Sequence, residues 1–471
     1  MNLPSFFRWS KSCSTGETEG ISLLTGDPRK AILSLSGPMI VAMLLMSSYN
    51  IVNAFWVVGL GSDALAAIGL MTPVYMILVG IGTGIGAGAT SAISRRIGAN
   101  DRAGASNHAI HAFIIALVLS IFVALPLVTF GKDLAIIFGA GETADLAAEY
   151  GTILFAGSFF IIFVEIAYGI LRAEGDTKRV MRAMVAATLL NIILDPVLIY
   201  GLGLGIAGAA LGTIISLALA TIIISFWFFI KRDTYACISW QMFWPEKAAV
   251  SDILYVGIPA SIEFLMMSVM NIFLNLILVT VATTDAVAVF SIGFRVISFG
   301  IVPIIAIGTS VVSVTGAAYG AKLYGKIRTS HSFGILFALG IAVSVSVLTH
   351  MFANPIAAIF SYSRESTHLY PEIAAFITVM CFFYPCVAFG LVSSSVFQGV
   401  GRGPTSLFLT FMRSFVFVMI FAYTFAIVAG MGEQGVWRGI VAGEFAGGLL
   451  AYALARFYIM TIDPRRIADE V

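Results

Sequence analysis

The sequence predicts an all-α integral membrane protein whose twelve transmembrane helices form two pseudo-symmetric six-helix lobes. Two observations lead there: an apolar composition divided into runs of bilayer length, and a self-match at an offset of about 222 residues. The chain is 59% hydrophobic and only 11% charged, with a mean hydropathy of +0.99, outside the range of a soluble globular protein. No charged residue interrupts the runs from Lys30 to Asp63 or from Asp63 to Arg95, each longer than the roughly 20 residues that cross a bilayer as a helix.

Taken in order, residues 1–25 read as a polar cytoplasmic tail without a signal-peptide pattern. Residues 26–230 read as an N-lobe of six spans centred near residues 44, 79, 119, 161, 191 and 218. The longest polar connection, residues 231–250, reads as an interfacial cytoplasmic linker. Residues 251–460 read as a C-lobe with spans centred near 267, 302, 341, 385, 417 and 448, and residues 461–471 as a second cytoplasmic tail.

The repeat supports this division. Gly37-Pro38 matches Gly257-Ile258-Pro259, Asp63-Ala64-Leu65-Ala66 matches Asp285-Ala286-Val287-Ala288, and Gly205–Gly212 pairs with Gly432–Gly439. Each copy holds an even number of spans, so both insert in the same orientation about an axis along the membrane normal. On this plan span one should pack with spans two, five and six.

Of the 26 basic residues, 21 fall in the terminal segments or in loops after even-numbered spans. The positive-inside rule then puts both termini in the cytoplasm of a multi-pass protein in the cell inner (plasma) membrane. The net charge of +1 is spread along these loops and gives no nucleic-acid footprint. The four cysteines form no disulfide framework and read as free thiols, and the five histidines have no metal-ligand spacing. No cofactor is expected. No nucleophile–base pair or paired-carboxylate site near the interface stands out, which argues against a membrane enzyme.

The most informative side chain is Asp195. Between Ala183 and Ile230 it is the one formally charged residue in forty-eight, and a carboxylate in an apolar helix costs several kcal/mol unless protonated, paired or solvated. Pro196 behind it removes a backbone donor, and Asn191 lies one turn earlier on the same face. Amide, carboxylate and a loosened helix make a cation or proton site.

Several motifs now point one way: Gly26-Asp27-Pro28, Tyr49-Asn50-Ile51-Val52-Asn53, Leu171-Arg172-Ala173-Glu174-Gly175-Asp176-Thr177, Asn191-Ile192-Ile193-Leu194-Asp195-Pro196, Ile258-Pro259-Ala260-Ser261 and Phe397-Gln398-Gly399-Val400-Gly401. In this order they resemble the multidrug and toxic compound extrusion (MATE) transporters, in particular the DinF-like archaeal and bacterial branch. The resemblance implies an antiporter, driven by a proton or sodium gradient, that exports organic cations or other amphipathic, drug-like small molecules by alternating access. It further implies a coupling site at Tyr49, Asn53, Asn191, Asp195 and Thr213, and a bending proline at Pro38. One position departs: similar sequences carry aspartate where this chain has Asn53, which can lend a carbonyl oxygen but cannot take a proton.

Other charges at membrane depth are secondary candidates. Glu165 in span four could replace the missing carboxylate. Glu263 in span seven could bind substrate or protons, or pair with Arg295 or Arg413, for which structural ion pairing is the simpler reading. Glu444 in span twelve has no assigned partner. A flippase for lipid-linked oligosaccharides or cell-wall precursors shares the two-lobe plan and is the alternative. The chain is expected to act as a monomer.

Overall fold

In the computed structural model the chain is described over residues 18–462, apart from 138, 140, 283 and 362–366. Arg8, Lys11, Arg465 and Arg466, among the basic residues that orient the chain, and Cys13, one of the four thiols, lie outside the described residues.

The fold is all-α and membrane-spanning. Among the described residues, ten helices are long and apolar enough to cross a bilayer, and twelve spans result when each of two bent pairs counts as one. Spans one to three are Pro28–Val58, Ser62–Gly98 and Arg102–Thr129. Span four is broken at Gly157 into Ala144–Ala156 and Ser158–Ala173, bent by 46°. Spans five and six are Thr177–Gly201 and Gly205–Lys231. Spans seven, eight and nine are Lys247–Val281, Thr284–Gly320 and Tyr324–Met351. Span ten is Thr367–Met380 with Phe383–Gly399, bent by 44°, and spans eleven and twelve are Gly403–Val428 and Gly432–Ile462.

Local chemistry sets several helix starts. Asp27, Asp101 and Asp176 each accept a hydrogen bond from the backbone N–H two or three residues on, at 3.0, 2.8 and 3.1 Å, capping spans one, three and five. Pro28 follows the first cap at a position where its missing N–H costs nothing. Before these caps, Glu19–Thr25 is a short helix that buries Ile21 and Leu24. The expected polar tail is thus partly structured, because two apolar residues one turn apart give it a face to bury.

Buried apolar side chains sort by lobe. One cluster draws on residues from Met270 to Ile459, joined by Leu24, Ala31, Ile32 and Leu35. The others draw on the first half, with Ile253 and Ala306 added. The exceptions are informative. Span one packs on span five but also on spans eight and nine of the other lobe, while span seven packs on span eleven and on span two. The two first spans therefore cross over reciprocally, as a repeat requires. Span one meets spans two and six only slightly, against expectation, because its opening turns are spent on the opposite lobe.

The chain's described ends share one face, here the terminal face, because both meet the start of span nine: Lys326 donates to the Thr25 carbonyl and, at 2.8 Å, to that of Gly26, and Arg456 donates to Ser332 at 3.3 Å. The lobes close on each other in that half. Gly84 and Gly88 of span two admit span seven so closely that a Cβ would lie 2.2 Å from Ser261 Oγ and 2.2 Å from the Ile253 carbonyl oxygen. Toward the opposite face, Phe264, Met267 and Phe273 of span seven are exposed. The segment 231–246 is not a loose tether. It is held by Ser106, which accepts from the Cys237 N–H at 2.9 Å, and by Asn107, which accepts from Trp244 N–H at 3.2 Å and donates to Glu246 at 3.0 Å. Among the described cysteines Cys381 and Cys386 are free, whereas Cys237 is disulfide-bonded, contrary to the reading of free thiols.

Candidate functional site

Span five carries Asp195 with its carboxylate fully buried. Asn191, one turn earlier, donates from Nδ2 to Asp195 Oδ1 at 2.7 Å. From span one, Tyr49 donates its phenol to Asp195 Oδ2 at 3.1 Å. Both donors are neutral, and among the described residues no basic side chain forms an ion pair with this carboxylate. A buried carboxylate satisfied only by neutral donors retains its affinity for a proton or a cation.

The backbone around it is loosened as the sequence requires. Pro196 cannot donate to the Ile192 carbonyl, and the chain continues as a π-helical turn over Val197–Gly201. Thr213 of span six lies beside the Tyr49 phenol, and its own hydroxyl donates to the Ala209 carbonyl at 3.2 Å. Asn53, one turn beyond Tyr49, has a buried Oδ1 without a hydrogen-bond partner. Pro38 lies inside span one, between turns packed on the C-lobe and turns bearing Tyr49. Gly212 was not singled out from the sequence, yet a Cβ there would lie 2.4 Å from Asp195 Oδ1. Its spacing from Gly208 within GIAGAALG was the available signal.

The secondary candidates separate. Glu165 accepts from Thr83 Oγ1 at 3.1 Å, with Arg172 the nearby positive charge. Glu263 pairs with neither arginine suggested for it; it accepts from Ser406 Oγ at 2.9 Å and from Gln398 Nε2 at 3.4 Å. Arg413 instead pairs with Glu444 at 2.6 Å, both side chains more than nine-tenths buried, and Ser414 donates to the other carboxylate oxygen at 3.0 Å. The π-helical turn Met412–Phe417 turns both residues toward span twelve. Arg295 is exposed and makes no ion pair among the described residues. Sequence reasoning also gave no role to Glu174, although it lies in a quoted motif. This buried carboxylate accepts from the Tyr235 and Ala236 N–H groups, both at 2.9 Å, and burial pushes it up to about 7.

Two six-span lobes that cross over by their first spans, closed at one face and enclosing a polar cluster in one lobe, define a secondary membrane transporter rather than an enzyme. The MatE family model matches residues 38–197 and 259–424, and the chain belongs to the MATE family of transporters. It is similar to the multidrug export protein MepA of Staphylococcus aureus strain MRSA252, with 29% identity over 90% of this chain and 94% of the relative. Among solved structures it resembles an outward-facing multidrug resistance MATE family transporter of the MOP superfamily, at 40% identity and TM-score 0.93 over 95% of this chain and 99% of that one. It also resembles a MOP superfamily transporter from Pyrococcus furiosus for which a binding pocket of reverse polarity and a different function are suggested, at 40% identity and TM-score 0.92 over the same shares.

Proposed function

We propose that the chain is a secondary active multidrug antiporter of the DinF-like branch, exporting organic cations or amphipathic compounds in exchange for protons or sodium. The observation that carries this is Asp195, buried and held only by neutral Tyr49 and Asn191. Asp195 takes up the coupling ion, Tyr49, Asn191, Asn53 and Thr213 complete its surroundings, and Pro38 lets span one follow the ion. The lobes, residues 26–230 and 251–460, rock about the linker 231–250 in a monomer with both termini cytoplasmic. The half in which spans two and seven close on each other is then cytoplasmic. Exposed Phe264, Met267 and Phe273 of span seven offer apolar, adaptable surface to a substrate.

The export activity named for MepA supports this reading, and the alternative remains a flippase for lipid-linked precursors. Proteoliposomes loaded with rhodamine 6G and given a pH or a sodium gradient separately test it. Efflux driven by one gradient and lost in Asp195→Asn is expected; efflux indifferent to both gradients overturns the antiport reading.

A further inference from the structure

The breaks in spans four and ten occupy equivalent places in the two lobes, and they are finished differently. In the N-lobe the break is filled: a Cβ on Gly157 would lie 2.2 Å from the Ile214 side chain of span six. Continuing the match of Gly205–Gly212 with Gly432–Gly439, Ile214 corresponds to Val441 and Leu211 to Arg438. In the C-lobe the corresponding space is open, a cavity of about 640 Å3 lined by Val379, Phe382, Phe389, Val441 and Phe445, with Arg438 at one end.

The orientation of this groove is set by span twelve. Gly435, Gly439, Gly443 and Gly447 form the stripe against span eleven, so Arg438, Val441 and Phe445 lie on a different stripe, with Phe445 51% exposed and Phe382 across from it 65% exposed. Span twelve enters at Gly432, which puts Arg438 about 9 Å along the helix and Phe445 about 10 Å deeper. The cation is thus near headgroup depth and the aromatic walls are in the hydrocarbon. Arg438 is exposed and makes no ion pair among the described residues, an unusual state for an arginine in a span. We propose that this groove binds an anionic phospholipid of the leaflet opposite the terminal face, its acyl chain between Phe382 and Phe445 and its phosphate on the Arg438 guanidinium.

Bromine-labelled lipid quenching tests this on the full chain in nanodiscs. Trp is placed at the groove by Phe445→Trp and, as a lipid-facing control, on span three by Phe122→Trp, where Phe122 is 75% exposed. Brominated phosphatidylglycerol should quench the groove reporter at lower mole fraction than brominated phosphatidylcholine. The preference should be about fivefold. It should vanish with Arg438→Gln and return with Arg438→Lys, while the control shows none. Equal quenching at both positions, or a preference that survives Arg438→Gln, overturns the proposal. Displacement of the brominated lipid by rhodamine 6G also overturns it, since the groove would then belong to the transported substrate.

Discussion

Two carboxylates, one in each lobe, show opposite ways of burying a negative charge. In the N-lobe, Asp195 meets a phenol and an amide; in the C-lobe, Glu444 meets the guanidinium of Arg413 and the hydroxyl of Ser414. Asp195 leaves its negative charge open to an outside cation or proton, and Glu444 takes its cation from its own chain. Glu165 beside Arg172 and Glu263 on Ser406 and Gln398 show the reverse assignment in each lobe. The repeat thus fixes a backbone plan without fixing which buried charge is compensated, and on the proposed function gradient dependence should follow Asp195.

The largest effect is expected at Asp195. Asp195→Asn should abolish gradient-driven efflux of rhodamine 6G while size-exclusion behaviour and thermal stability stay near those of the parent, since Tyr49 and Asn191 can still bond to an amide. Full transport in that variant would move the coupling site elsewhere and end the contrast between the lobes.

The C-lobe side is broken by Arg413→Met. Glu444 would be left buried without its counter-charge, a loss of about 3–5 kcal/mol to be read as a large drop in unfolding temperature in detergent. Adding Glu444→Gln should recover most of that loss, because the uncompensated charge is gone. The recovered double variant should still transport under a gradient; a loss of coupling there would show that the C-lobe pair does more than hold the bundle together.

Asn53→Asp sharpens the contrast rather than breaking it. The Asn53 Oδ1 is buried and unpartnered one turn from Tyr49, so a carboxylate there would add a second acceptor group to the Asp195 cluster. Sodium binding by calorimetry should strengthen, and the two acids should titrate in two coupled steps. An unchanged binding isotherm would place residue 53 outside the site.

Much of this contrast was legible in the sequence, for physical reasons that differ by residue. Asp195 and Asn191 could be joined because one helical turn separates them, and the repeat could be read because it is written in order along the chain. The contact from Tyr49 crosses 146 residues and entered only through family resemblance. Which arginine Glu444 would meet depends on the order of helices around the bundle, which hydropathy does not encode. The breaks in spans four and ten were equally silent, since apolar composition runs straight through Gly157 and Phe382. The crossing of spans one and seven between lobes could not be read either, because apolar residues are spread all round both helices and leave no stripe to say which neighbour each prefers.

The smallest expected effect lies at the terminal face, where Glu174 binds the Tyr235 and Ala236 N–H groups and thereby docks the linker. Burial raises this carboxyl from its ordinary range to about 7, the two N–H donors and Arg179 opposing the shift while Asp176 adds to it. A raised pKa means that docking takes up a proton. Its contribution is therefore full below the ordinary carboxylate range, falls as pH rises toward about 7, and is constant above that. Hydrogen-exchange protection of the Tyr235 and Ala236 amides, corrected for intrinsic rates, should be higher at pH 5 than at pH 8. Glu174→Gln, which cannot ionise, should give protection that does not change between those two conditions. If the parent itself shows no change, the linker's grip does not depend on the ionisation of Glu174.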